Sequence, residues 1–271
     1  VNIIKVELKR SIKSLLTWSI VTSLILILFM SLYPSFKDSG MVDIINAEID
    51  ALPKAMLEMF NIKDTPNFSN IIEYFAYSFQ YILMVSGIYG GILGVNSLIS
   101  EESDGTIEFL YSKPISREKI AGMKIISNLL IFLIFSIIIS IVSIILMMVL
   151  APDGADLLTV LVDTRNICIG FTVVGLVFLS VGFLISTIIK SSKSAIALSL
   201  GVFFATYFIG VISKIKENVN WLRIISPYEN FIPGEIVKDG LNVPYIIGSL
   251  CIILICIIYS VIIYKRKDFR I

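Results

Sequence analysis

Histidine is absent from this chain of 271 residues, and with it the commonest general base and the commonest metal ligand. Cysteine occurs three times, as Cys168, Cys251 and Cys256, each inside an apolar run. No pair has zinc-finger or CxxC spacing, so all three read as small buried hydrophobes. Charge is scarce as well. Only 16% of residues are charged, against about 25% in a soluble domain. The net charge of +1 offers no concentrated basic surface of the kind that binds nucleic acid. There is no GxxxxGK[ST] phosphate loop and no HExxH, GxSxG or DxDxDG pattern. The adjacent acids Glu101 and Glu102 lack the histidine that a hydrolytic site would need beside them.

What is abundant is apolar surface, with 56% hydrophobic residues and a mean hydropathy of +0.91. Six charge-free apolar segments stand out, at 15–33, 75–99, 125–150, 167–189, 195–212 and 245–264, and all 43 charged residues fall outside them. About 20 helical residues cross a bilayer core, so each can span. The runs are continuous rather than alternating, which excludes a β-barrel. The expected fold is an all-α membrane protein in one domain over 1–271. The first run is too long for a signal h-region and has no small-residue cleavage site after it, so no cleavable signal peptide is expected.

The basic residues orient the spans. Residues 1–14, 100–124, 190–194 and 265–271 hold 14 Lys and Arg against 8 in 34–74, 151–166 and 213–244, while the acids divide 7 against 14. The first set is expected in the cytoplasm, with both termini, and the second on the outer side. Residues 2–14, "NIIKVELKRSIKS", are amphipathic, with Ile4, Leu8, Ile12 and Leu15 at helical spacing. They read either as a helix lying in the cytoplasmic interface or as an extension of the first span. The outer loop 213–244 is cut by Pro227, Pro233, Gly234, Gly240 and Pro244 into short helices. It either dips back into the outer leaflet or runs along the surface, with Trp221, Tyr228 and Phe231 suited to the headgroup level.

Inside the spans only weakly polar groups remain. Ser86, Gly90 and Gly94 fall four apart in the second span, and Ala197, Gly201 and Ala205 do so in the fifth. Such stripes permit close helix approach within one subunit or between two. Ser136, Ser140 and Ser143 share a face of the third span, bonding across helices or to their own carbonyls. Gln80 and Asn96 are the most polar groups there.

The exception to this apolar pattern is "EESDGTIEFLYSKPISREKIAGMK", residues 101–124. Glu101, Asp104 and Glu108 are spaced to share one helical face, and Ile107, Leu110 and Tyr111 another. Ser100 or Ser103 can cap a short helix, Pro114 ends it, and Ser116 can cap a second one leading into the third span. A solvated connector satisfies the same pattern, but it leaves the apolar face without a partner.

This segment resembles the one after the second span in ABC transporter permeases of the ABC-2 type. The family pattern falls on Glu101 or Glu102, Gly105, Thr106, Ile107, Glu108, Leu110, Pro114, Ile115, Ser116, Arg117 and Lys124. Six spans, a Ser226-Pro227 pair after the fifth and the tail "YKRKDFRI" extend the likeness over essentially the whole chain. The resemblance implies a permease that pairs with a second copy or a related permease. It also implies a cytoplasmic coupling helix between spans two and three that docks a separate ATP-binding subunit, on residues 101–117. ATP and magnesium are then expected on that subunit, with no cofactor on this chain. The apolar residues Ile107, Leu110 and Tyr111 would enter a cleft on the ATPase, with the acids Glu101, Asp104 and Glu108 pairing at its rim. The charge-free, aromatic-rich spans suit an amphiphilic or hydrophobic cargo such as an antimicrobial peptide, drug or lipid. Lys-, Ile- and Asn-rich usage points to a low-GC bacterium and hence to a plasma membrane. An ATP-independent transporter or a membrane scaffold is the alternative, and neither accounts for the apolar face.

Overall fold

The structure is a computed structural model and describes residues 3–38, 53, 56–57, 68–106, 115–152, 156–189, 191–215 and 217–267. The described residues form helices and no strand. The long helices are α1 (Ile3–Ser31), α3 (Ile71–Ser103), α4 (Arg117–Leu150), α5 (Leu157–Ile188), α6 (Ala195–Ile215) and α8 (Val243–Arg266). Two short ones, α2 (Tyr33–Asp38) and α7 (Pro233–Asp239), lie between them. Six helices are long and apolar enough to cross a membrane, as the hydropathy pattern predicts.

Helices α3 and α5 form the centre. Buried residues make up 72% of the most apolar window in each, against 22–33% in the other four spans. The sequence explains this division. Helix α3 carries Ser86, Gly90, Gly91 and Gly94, and α5 carries Gly175 and Gly182, so the two backbones can touch. A Cβ on Gly182 would lie 2.8 Å from the Gly91 carbonyl oxygen, and one on Gly90 or Gly94 would collide with the carbonyl of Gly175 or Leu179. Ser86 Oγ donates to the Phe171 carbonyl at 2.6 Å, and Ser186 Oγ accepts from the Leu98 and Ile99 amides at 2.9 and 3.0 Å.

The outer helices instead turn branched apolar side chains outward. Leu16, Ile20, Leu24 and Leu28 do so on α1, and Ile126, Leu130, Ile134, Ile137, Ile141 and Ile145 on α4. A helix that is apolar on its outer face as well as its inner one belongs in lipid.

Three sequence expectations change. Residues 3–14 form no separate interfacial helix but are the first turns of α1, which runs unbroken to Ser31 because no proline or glycine interrupts it. The helices also extend beyond the charge-free segments, so Glu7, Glu101 and Lys124 are helical and largely buried. Finally, Ser100 and Ser103 start no new helix. They belong to the last turn of α3, and Gly105, with φ of 68°, ends it.

The 213–244 connection folds back into the bundle. It comprises 3₁₀ turns at Glu217–Ile225 and Glu229–Phe231, followed by α7. The Tyr228 hydroxyl donates to the Gln80 carbonyl at 3.2 Å, and its ring lies 5.2 Å from that of Tyr207 and 6.1 Å from that of Phe203. Phe231 and Ile236 pack over Gly170. Gln80 is nine residues into α3, or about 14 Å at 1.5 Å per residue. The connection is therefore packed against α3 and α5 and does not stand away from the helices.

Candidate functional site

The ends of α3 and α4 that flank the 107–114 segment meet the N-terminal turns of α1 and the C-terminal turn of α8, at what we term the connector end. Its centre is Lys124, whose side chain is 1% exposed. The ammonium donates to the Ser97 carbonyl at 2.7 Å and to Ser100 Oγ at 3.2 Å, pairs closely with the Glu101 carboxylate and lies 3.5 Å from that of Glu7. A buried ammonium requires such partners. Asn128, one turn further along α4, donates to Ser97 Oγ at 2.9 Å and so holds the same stretch of α3.

Further ties surround this centre. Arg10 bonds Asp104 at 2.9 Å and Glu101 at 3.5 Å. Lys267 pairs with Glu102 at 2.7 Å and donates to the Ile189 carbonyl at 3.3 Å. Arg117 donates to the Lys267 carbonyl at 2.9 Å, and Ser103 and Ser192 share a hydrogen bond of 2.8 Å. Two of the acids expected at a partner's rim, Glu101 and Asp104, are thus engaged inside the chain.

The Gly105-Thr106 pair has a structural role of its own. The Thr106 amide donates to the Glu101 carbonyl at 2.9 Å and the Gly105 amide to the Glu102 carbonyl at 3.4 Å. This is a Schellman cap, which requires the left-handed conformation that glycine adopts at least cost. On the other flank Ser116 Oγ accepts from the Lys119 amide at 3.4 Å, the cap that its position before "REKI" predicts. Ile107, Glu108, Leu110, Tyr111 and Pro114 lie outside the described residues.

The two small-residue stripes separate. Ser86, Gly90 and Gly94 face α5 and serve packing within the chain. Ala197, Gly201 and Ala205 lie on the exposed face of α6, opposite the buried Ser199, Phe203 and Tyr207. Among the serines of α4, Ser136 bonds across to Thr172, while Ser140 and Ser143 donate to their own helix at 2.8 Å.

Sequence reasoning missed the roles of Glu7, Arg10 and Lys267. The available signal was slight: Glu7 is the single acid in a basic N-terminal stretch. It also missed Lys214 and Glu229, which pair in a buried contact between α6 and the inward-folded connection.

Alongside the Lys124 cluster lies a cavity of about 240 Å³ between α1, α3 and α4, with Glu7, Ser14, Tyr89, Asn96 and Asn128 in its wall. Six apolar helices, an unbroken central pair and ion-paired helix ends define a polytopic membrane protein. The chain matches the family model described as ABC-2 family transporter protein over residues 1–269, and it belongs to that family. No curated protein matches it.

Proposed function

We propose that the chain is the membrane-spanning subunit of an ATP-driven exporter, working as a pair with a second copy or a related permease and coupled to a separate ATP-binding subunit through residues 101–117. ATP and magnesium act on that subunit. The connector end faces the cytoplasm of a bacterial cell, in keeping with its excess of Lys and Arg. The cargo is an amphiphile, such as an antimicrobial peptide or drug.

The observation that carries this reading is the clamping of both flanks of the 107–114 segment. Glu101, Glu102 and Asp104 on one flank and Arg117 and Lys124 on the other are tied to α1 and to the C-terminal end of α8. A force applied to the segment by a partner would reach several spans together instead of bending one loop. Ile107, Leu110 and Tyr111 supply the apolar surface for that partner.

The test is co-expression with a candidate ATP-binding subunit and ATP-dependent transport into inverted vesicles. Leu110→Asp is expected to abolish transport and co-purification of the ATPase while membrane insertion stays intact. Normal transport by this variant at wild-type abundance would refute the coupling role.

A further inference from the structure

Helix α1 runs unbroken from Ile3 to Ser31, so its charged first turns continue directly into its apolar part. One stripe of its surface has two chemical halves. Lys9, Lys13, Leu16, Ile20, Leu24 and Ile27 recur at helical spacing, within an arc of about 80°, and all six are exposed. The stripe is basic at Lys9 and Lys13 and apolar from Leu16 onward. Leu16 and Ile27 are separated by about 16 Å along the axis at 1.5 Å per residue. That is close to half of a bilayer core of about 30 Å. The apolar half therefore matches the depth of one leaflet, and the two ammonium groups precede it at headgroup level.

The two lysines are also free to take a ligand. The described acids of the connector end pair elsewhere: Glu7 and Glu101 with Lys124, Asp104 with Arg10, Glu102 with Lys267 and Glu118 with Lys265. Among the described residues, Lys9 and Lys13 have no acidic partner. Two ammonium groups one turn apart repel, and an anion between them relieves the repulsion. A zwitterionic headgroup would bring a further cation to this place, whereas an anionic headgroup brings its phosphate without one.

We propose that this stripe seats an anionic phospholipid, with its phosphate between Lys9 and Lys13 and an acyl chain along Leu16, Ile20, Leu24 and Ile27. Lipid surrounds every span, but here the protein selects the headgroup. The site stands apart from the coupling role of residues 101–117 and does not depend on it.

The test uses the full chain, delipidated in a neutral detergent and titrated with phosphatidylglycerol or with phosphatidylcholine of the same acyl chains. Bound lipid is counted by native mass spectrometry. The first phosphatidylglycerol should bind saturably and about tenfold more tightly than phosphatidylcholine. Lys9→Gln combined with Lys13→Gln should remove that preference, and Lys9→Arg combined with Lys13→Arg should keep it. Lys193→Gln removes an exposed charge from the 3₁₀ turn Ser192–Ser194, away from α1, and should leave the preference unchanged. Dihexanoyl phosphatidylglycerol, whose chains are too short to reach Leu24, should bind severalfold more weakly, and glycerol 3-phosphate should not compete. Equal affinity for the two lipids, an unchanged preference in the double glutamine variant, or as large a loss with Lys193→Gln would overturn the proposal. Full competition by glycerol 3-phosphate would overturn it too, since it would make the site one for a soluble phosphate.

Discussion

Replacing Lys124 by methionine tests the connector end most directly. The substitution keeps the length of the side chain and removes its charge. It leaves Glu101 and Glu7 facing each other without the ammonium that now lies close to one and 3.5 Å from the other, and it removes the donor to the Ser97 carbonyl and Ser100 Oγ. Breaking a buried ion pair from one side costs about 3–5 kcal/mol. Glu101 is 14% and Glu7 9% exposed at the side chain, so water can screen part of the residual charge, and the lower end, about 3 kcal/mol, is expected. The measurement is unfolding by SDS in mixed micelles, followed by tryptophan fluorescence. Adding Glu101→Gln to Lys124→Met should recover a substantial part of the loss, since Glu7 then no longer faces a second carboxylate. A Lys124→Met protein within about 0.5 kcal/mol of wild type, the range of ordinary surface substitutions, would refute the argument that this lysine holds the helix ends together.

Gly94→Val should cost about 3 kcal/mol by forcing a branched side chain into the α5 backbone, measured by the same unfolding assay. Gly105→Ala places a Cβ at φ of 68° and should destabilise by about 1 kcal/mol, with Gly105→Asn closer to wild type because asparagine tolerates this conformation. Burial pushes the Glu229 carboxyl above its ordinary value of 4.5, with Lys214 opposing the shift. The folded state therefore binds this proton more tightly than the unfolded one. Its contribution to stability is complete below pH 4.5 and is lost as pH rises through the folded value. Wild type should accordingly lose stability relative to Glu229→Gln as pH rises above 4.5, as thermal unfolding at several pH values would show.

The spans are legible in the sequence because twenty apolar residues in a row have few other uses. The Ser86-Gly90-Gly94 stripe is legible as a packing face because small residues at that spacing permit backbone contact. Its partner is not, since Gly175 and Gly182 fall seven apart in α5 and nothing in the sequence pairs them with α3. The connector end is only partly legible. Charge density marks residues 101–124, but an ion pair such as Glu7 with Lys124 joins positions far apart in the chain, and only the packing of α1 against α4 brings them together. The Gly105-Thr106 motif is readable as a family pattern, whereas its physical reason, a helix cap, depends on α3 continuing as far as Ser103. The direction taken by the 213–244 connection is undecidable from sequence because its prolines and aromatics suit a surface loop as well as an inward fold.

That inward fold alters what the chain can tolerate between its last two spans. Connections are ordinarily where proteins accept tags, cuts and extra residues. Here Ser226, Tyr228, Glu229, Phe231, Ile232 and Pro233 are buried as deeply as core positions, and the Tyr228 hydroxyl is anchored on the backbone of α3. An epitope or protease site inserted in this stretch would have to enter the bundle. The turn that follows α7 is different. It is exposed at Asp239 and Asn242, and a Cβ on Gly240, at φ of 76°, would meet nothing within 4 Å. The same insertion would be accommodated there.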